Sequence, residues 1–182
     1  MARAIKSAQI IEKIFFPTNV VTVGAILILV YLRGDETFLN NVLVFISLLS
    51  LYLIIASLLK KKISDENKLY FSSGIIVLLV FFLCNYFIAL AKEMVFGAYS
   101  LLLIFFVIYA IRPRWKISGH TTAFTGTCTA LILINQIFMP SIAFLPLVIW
   151  SRLELQAHNI AQVTAGILVG LAIPWMIYTL LF

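Results

Sequence analysis

Two short polar islands interrupt an otherwise apolar chain: Arg112-Pro113-Arg114-Trp115-Lys116-Ile117-Ser118-Gly119-His120, and Ser151-Arg152 with His158 and Gln162 after it. They hold both of the chain's histidines. Two imidazoles, several cations and a Ser-Gly turn opening a helix are the set that phosphoryl transfer without a metal requires. They supply a nucleophile, a proton donor and positive charge for the phosphate oxygens. Ser118-Gly119 marks the point where a loop enters a helix, so the free amides of the first turn face the loop and favour an anion. His120 then stands in that first turn, placed to protonate a departing oxygen. His158 is expected to open the last helix, with Gln162 four residues on along the same face. A side-chain carbonyl there accepts the proton of one ring nitrogen and leaves the other bare to attack phosphorus.

The elements that must carry these residues are membrane helices. Of 182 residues, 63% are hydrophobic and only 11% charged, with 15 Phe. Apolar runs of this length cross a hydrocarbon layer of ~30 Å, where the backbone has to be helical. Runs over 18–32, 38–59, 69–111 (two crossings, divided at Lys92-Glu93), 119–138, 141–150 and 158–181 predict an all-α bundle of six to seven transmembrane helices. The run 141–150, bounded by Pro140 and holding Pro146, is short for a crossing. Before Pro17, Arg3 and Lys6 precede Ile10, Ile11, Ile14, Phe15 and Phe16 without a cleavage site, which predicts an N-terminal interfacial helix over 1–17. Residues 1–182 read as a single domain, without linker, repeat or low-complexity tract.

The net charge of +6, from 13 Lys and Arg against 7 Asp and Glu, sits at the ends of apolar runs. Membrane orientation and anionic headgroups, not nucleic acid, are its expected partners. Seven crossings put the amino terminus, the loop over 60–68 and both islands on one face. With Arg112, Arg114, Lys116 and Arg152 set aside as candidates for chemistry, seven basic residues against two still assign that face to the cytoplasm. Cys84 and Cys128 lie in apolar segments without metal-ligand spacing. Thr122, Gly126 and Ala130 on one helix, and Gly166 and Gly170 on another, recur every four residues and permit close backbone contact. That contact would bring His120 and His158 to one pocket.

The order and spacing of these residues resemble the type-2 phosphatidate phosphatase superfamily. Its members include lipid phosphate phosphatases, polyprenyl diphosphate phosphatases and vanadium haloperoxidases. The resemblance rests on Arg112-Pro113, then Lys116-Ile117-Ser118-Gly119-His120, then Ser151-Arg152, five residues, His158, three residues and a polar side chain. It covers roughly residues 105–170 and is closest to a small membrane branch with Gln at the last position. It implies a phosphohistidine at His158, general acid catalysis by His120 and a phosphate cradle of Arg112, Arg152, Ser118 and the Gly119 amide, with Ser151 beside it and no metal or cofactor. The family's first lysine is Phe105 here, with Lys116 in place to supply the charge. The proline before Ser-Gly-His is Ile117, and the acid that orients the nucleophile is Gln162. The implied activity is hydrolysis of a lipid phosphomonoester or diphosphate, a polyprenyl phosphate first, taken from the bilayer. The alternative is a catalytically silent relative that binds or moves lipid phosphates.

Overall fold

The computed structural model describes residues 2–60 and 66–182, and among them every regular element is helical. Lys61 and Lys62 of the basic loop lie outside the described residues. The order is α1 (Ala2–Ile14), α2 (Pro17–Tyr31), α3 (Phe38–Lys60), α4 (Glu66–Phe87), α5 (Lys92–Ile111), α6 (Gly119–Ile134), a 3₁₀ segment (Gln136–Phe144), α7 (Leu145–Glu154) and α8 (Ile160–Leu181). The all-α bundle is as the sequence predicts. Large apolar side chains cover its outside, Leu53 and Leu58 of α3 and Leu168 and Leu180 of α8 among them, each at least 60% exposed. An outer surface of that kind belongs in lipid, and the chain is a multi-pass membrane protein.

The number of spans falls short of six to seven. Among the described residues, four helical stretches have the length and apolarity to cross, namely Phe38–Lys60, Lys92–Ile111, Gln136–Glu154 and Ile160–Leu181. A fifth is added if α1 and α2, bent by 48° at Phe16-Pro17, count as one broken span. Length excludes α2 and α6, of 15 and 16 residues, since 16 residues of α-helix rise only about 24 Å; in α4 the apolar stretch among the described residues is Ser72–Phe87. The segment that looked too short, 141–150, extends from 136 to 154, because its 3₁₀ turn accommodates Pro140 and Pro146 falls in the first turn of α7, where no amide is needed. The expected helix over 119–138 stops at Ile134, where extended Asn135 caps the next segment by accepting a hydrogen bond from the Ile137 amide at 2.9 Å.

At the centre stands α6, buried over nearly its whole length despite five threonines. Three of their hydroxyls are satisfied along the helix itself, Thr121 and Thr122 Oγ1 donating to the Ser118 carbonyl at 3.1 and 2.8 Å and Thr129 Oγ1 to the Thr125 carbonyl at 2.8 Å. Helix α8 lies against it through glycine. A Cβ at Gly170 would stand 2.8 Å from the Gly126 nitrogen and the Thr122 carbonyl, and one at Gly166 would stand 2.9 Å from the Ser118 carbonyl. The small residues thus set the approach of the helix that bears His120 and the helix that follows His158. On the other side, Gly24 of α2 faces the Thr127 methyl. At the far end, fully buried Asn41 accepts from the Ala91 amide at 3.1 Å, which ties α3 to the turn before α5.

Candidate functional site

The first island leaves α5 at Ile111 and enters α6 at Gly119. Ser118 is the N-cap: its Oγ lies 3.5 Å from the Thr121 amide, at the limit of hydrogen bonding, and its residue is fully buried. Its own amide donates to the Gln162 carbonyl at 3.2 Å. Thr121 Oγ1 donates to the Ser118 carbonyl at 3.1 Å and reaches the Val163 carbonyl at 3.5 Å. The two islands are therefore joined by backbone contacts before any charged group is considered. Nothing lies within 4 Å of where a Cβ of Gly119 would be, which leaves space at the free amides of the α6 terminus.

The second island turns back on itself within six residues. At the end of α7 the Ala157 amide donates to the Arg152 carbonyl at 3.2 Å and the Gln156 amide to the Leu153 carbonyl at 3.0 Å, a Schellman turn with Gln156 at φ 51° where glycine is usual. The chain then reaches His158, which does not open α8 as expected. The N-cap is Asn159, and it forms a capping box with Gln162: Asn159 Oδ1 accepts from the Gln162 amide at 2.9 Å, and Gln162 Oε1 accepts from the Asn159 amide at 3.2 Å. His158 therefore meets Gln162 across a cap and not along a helix face, with Nδ1 3.3 Å from Gln162 Oε1 and 3.2 Å from the Lys116 carbonyl. Both neighbours are acceptors, so Nδ1 carries the proton and Nε2 has the lone pair.

Arg152 links the second island to His120. It is 2% exposed. Nε donates to Ser151 Oγ at 3.3 Å, and Nη1 donates to Glu12 Oε1 at 2.8 Å and faces His120 Nδ1 at 3.5 Å. A guanidinium only donates, so His120 Nδ1 is the acceptor and its proton sits on Nε2. That Nε2 and Arg152 Nη2 are buried polar atoms without a hydrogen-bond partner among the described residues. The two imidazoles thus have opposite tautomers, one presenting a bare Nε2 and the other an Nε2–H, beside an arginine nitrogen free to donate.

Burial holds the His120 imidazole down at about 4, helped by the Arg152 and His158 charges and opposed by the Glu12 carboxylate. His158 is also lowered, first by burial, while its bonds to Gln162 and the Lys116 carbonyl pull the other way and the Lys116 and Arg152 charges add to the lowering. Both rings lie outside the four spans, and both are neutral near pH 7 in the ligand-free protein. A bound phosphate, by bringing negative charge beside His120, raises that ring towards the range in which it can give a proton.

Of the residues singled out from sequence, His120, His158, Gln162, Ser118, Ser151 and Arg152 come together. Lys116 contributes its carbonyl and its charge, while its side chain is exposed. Arg112 lies exposed at the end of α5 and makes no hydrogen bond or ion pair with a described side chain. Ser118 and Ser151 act on the protein itself, one capping α6 and the other holding Arg152. Sequence reading missed Glu12, Asn159 and Phe16, whose ring meets that of His120 edge-on at 5.5 Å. The Asn159-x-x-Gln162 pattern before an apolar run is a capping-box signature and could have been found. Glu12 pairs with a residue 140 positions away, and nothing local signals that.

Gln162 has two jobs, and they can be separated. Gln162→Leu should lose the cap and the tie to His158, costing roughly ten- to a hundredfold in any rate that uses His158. Asn159→Ala removes a cap bond alone and should cost about 1 kcal/mol of stability with little effect on rate. Equal effects in both, measured as turnover and as resistance to denaturant, would make Gln162 a capping residue only. No family model, curated protein or solved structure matches the chain.

Proposed function

We propose that this protein is a membrane lipid phosphatase that works through a phosphohistidine, in the manner of the type-2 phosphatidate phosphatases its motifs resemble. The observation that carries the reading is the placement of the two imidazoles, His158 with Nδ1 between two acceptors and His120 with Nδ1 against buried Arg152, from which opposite tautomers follow. His158 Nε2 attacks phosphorus, an N–P bond forms, and the bond from phosphorus to the lipid oxygen breaks as His120 gives that oxygen its proton. Water then attacks the phosphohistidine, His120 takes up its proton, and inorganic phosphate leaves with His158 restored. Arg152 Nη2, the Gly119 amide and the charge of Lys116 hold the phosphate oxygens.

A lipid substrate suits the surroundings. An open apolar groove of about 420 Å³ is bounded by Thr129 of α6 and by Leu168, Leu171, Ala172, Trp175 and Met176 of α8, the two helices whose amino-terminal ends lie at the site. Thr129 is nine residues along α6 from His120, about 13 Å down the helix, so an acyl or prenyl tail could lie there with its phosphate at the histidines. Polyprenyl mono- or diphosphate is the favoured substrate, then phosphatidate or phosphatidylglycerol phosphate. The Glu12–Arg152 pair supports one common end for the amino terminus and the islands, which the excess of basic residues assigns to the cytoplasm.

Phosphate release by the detergent-solubilised chain, on a panel of these lipids with and without a chelator, tests the reading. Release from an isoprenoid phosphate that the chelator does not reduce is the expected result. Tight binding across the panel without release would instead identify a silent lipid-phosphate binder, a reading that Phe105 and Gln162, in place of the family's lysine and acid, favour.

A further inference from the structure

One carboxylate in the site has no part in that chemistry. Glu12 comes from α1, which packs against α7, and its side chain is about one-third exposed while that of Arg152 is 3% exposed. The three nitrogens of Arg152 have different fates: Nε is bound to Ser151, Nη1 to Glu12, and buried Nη2 has no partner among the described residues. Because the guanidinium is planar and rigid, two bonds fix its plane and therefore the direction of the third nitrogen. Resting on the phosphatase reading, we propose that Glu12 is a positioning residue, which holds Arg152 by Nη1 and so leaves Nη2 as the nitrogen that receives a phosphate oxygen. Glu12 itself does not touch the substrate.

The carboxylate has a second effect through its charge. The charged and titratable groups that bear on His120 are Glu12 from α1, Arg152 from α7 and His158 from the turn before α8, while the Phe16 ring against it brings no charge. Only Glu12 among them favours the protonated ring. Replacing the carboxylate by an amide keeps an acceptor for Nη1 but removes this support. A purely structural contact would not have that consequence.

The test uses the full chain in detergent with Glu12→Gln, Glu12→Ala and Glu12→Asp. With only two histidines in the sequence, ring titration by NMR gives two signals, assigned through His158→Ala, and inorganic phosphate serves as the binding probe. In Glu12→Gln, His120 should titrate at lower pH than in the wild type with phosphate affinity nearly kept. In Glu12→Ala, phosphate affinity should fall about tenfold or more, and Glu12→Asp should recover part of it. An unchanged His120 titration in Glu12→Gln, or tighter phosphate binding in Glu12→Ala, would overturn the proposal; the latter would make the carboxylate a competitor for Arg152. If Glu12→Ala does not fold, the Gln and Asp variants decide, since both retain an acceptor. Binding and titration are read without turnover. A chain that binds phosphate through Glu12-held Arg152 but hydrolyses no lipid phosphate sinks the phosphatase reading alone, and a hydrolase whose His120 and phosphate affinity ignore Glu12 sinks the positioning role alone.

Discussion

His158→Ala is expected to abolish turnover and the acid-labile phosphoenzyme together, a loss on the order of ten-thousand-fold or more, the scale on which removal of a covalent nucleophile acts. His158 Nδ1 lies between two acceptors and must hold a proton, so the attacking lone pair is on Nε2. His120→Ala should behave differently. Its proton is needed only by a leaving oxygen of high pKa, so release of a lipid alcohol should fall far more than release of an activated aryl phosphate. The pH dependence has a sign as well. Free His120 is held at about 4, so the protonated acid becomes scarce as pH rises, and kcat/KM, which reports the free protein, should decline from a lower pH than kcat, which reports the phosphate-bound form. Steady-state profiles on both substrates check this. A phosphoenzyme that survives in His158→Ala, or equal losses on both substrates in His120→Ala, would remove the assigned roles.

What the sequence made legible was which polar residues gather at each island and the class of fold, because both are local. A Ser-Gly-His start to a helix, a Ser-Arg pair and a second histidine can be read within a few residues, and so can apolar runs. Span lengths were less legible: hydropathy cannot see that Asn135 ends α6 or that Pro140 is taken into a 3₁₀ turn that continues into α7. Periodicity also misled at His158. The four-residue spacing to Gln162 suggested one helix face, whereas the helix begins after Asn159 and the contact runs through a capping box. The Glu12–Arg152 pair was out of reach for a different reason. It depends on α1 packing against α7, a product of the whole fold, and an acidic residue among the isoleucines of α1 looks like the polar side of an interfacial helix.

The second large effect is expected at Arg152. Arg152→Lys keeps the charge but replaces three fixed donors with one flexible ammonium, which cannot hold Ser151 and Glu12 and still offer a directed hydrogen to phosphate. A fall in kcat/KM of roughly a hundred- to a thousandfold should follow, the range seen when one donor to a developing charge is removed. The charge near His120 persists, so its titration should hardly move. Arg152→Gln takes the charge away as well. Arg152 is among the groups that push His120 down, while Glu12 pushes it up. With the cation gone, the carboxylate acts with less opposition, and His120 should titrate at higher pH, the reverse of the shift expected in Glu12→Gln. Two substitutions at one ion pair that move the same imidazole in opposite directions cannot both arise from a loosened fold. Loosening would admit water in either case and carry His120 towards its ordinary value in both variants. A Lys variant with wild-type kcat/KM would show that the fork of Arg152 is not used on phosphate. A Gln variant with His120 unmoved would separate the two islands that the guanidinium joins.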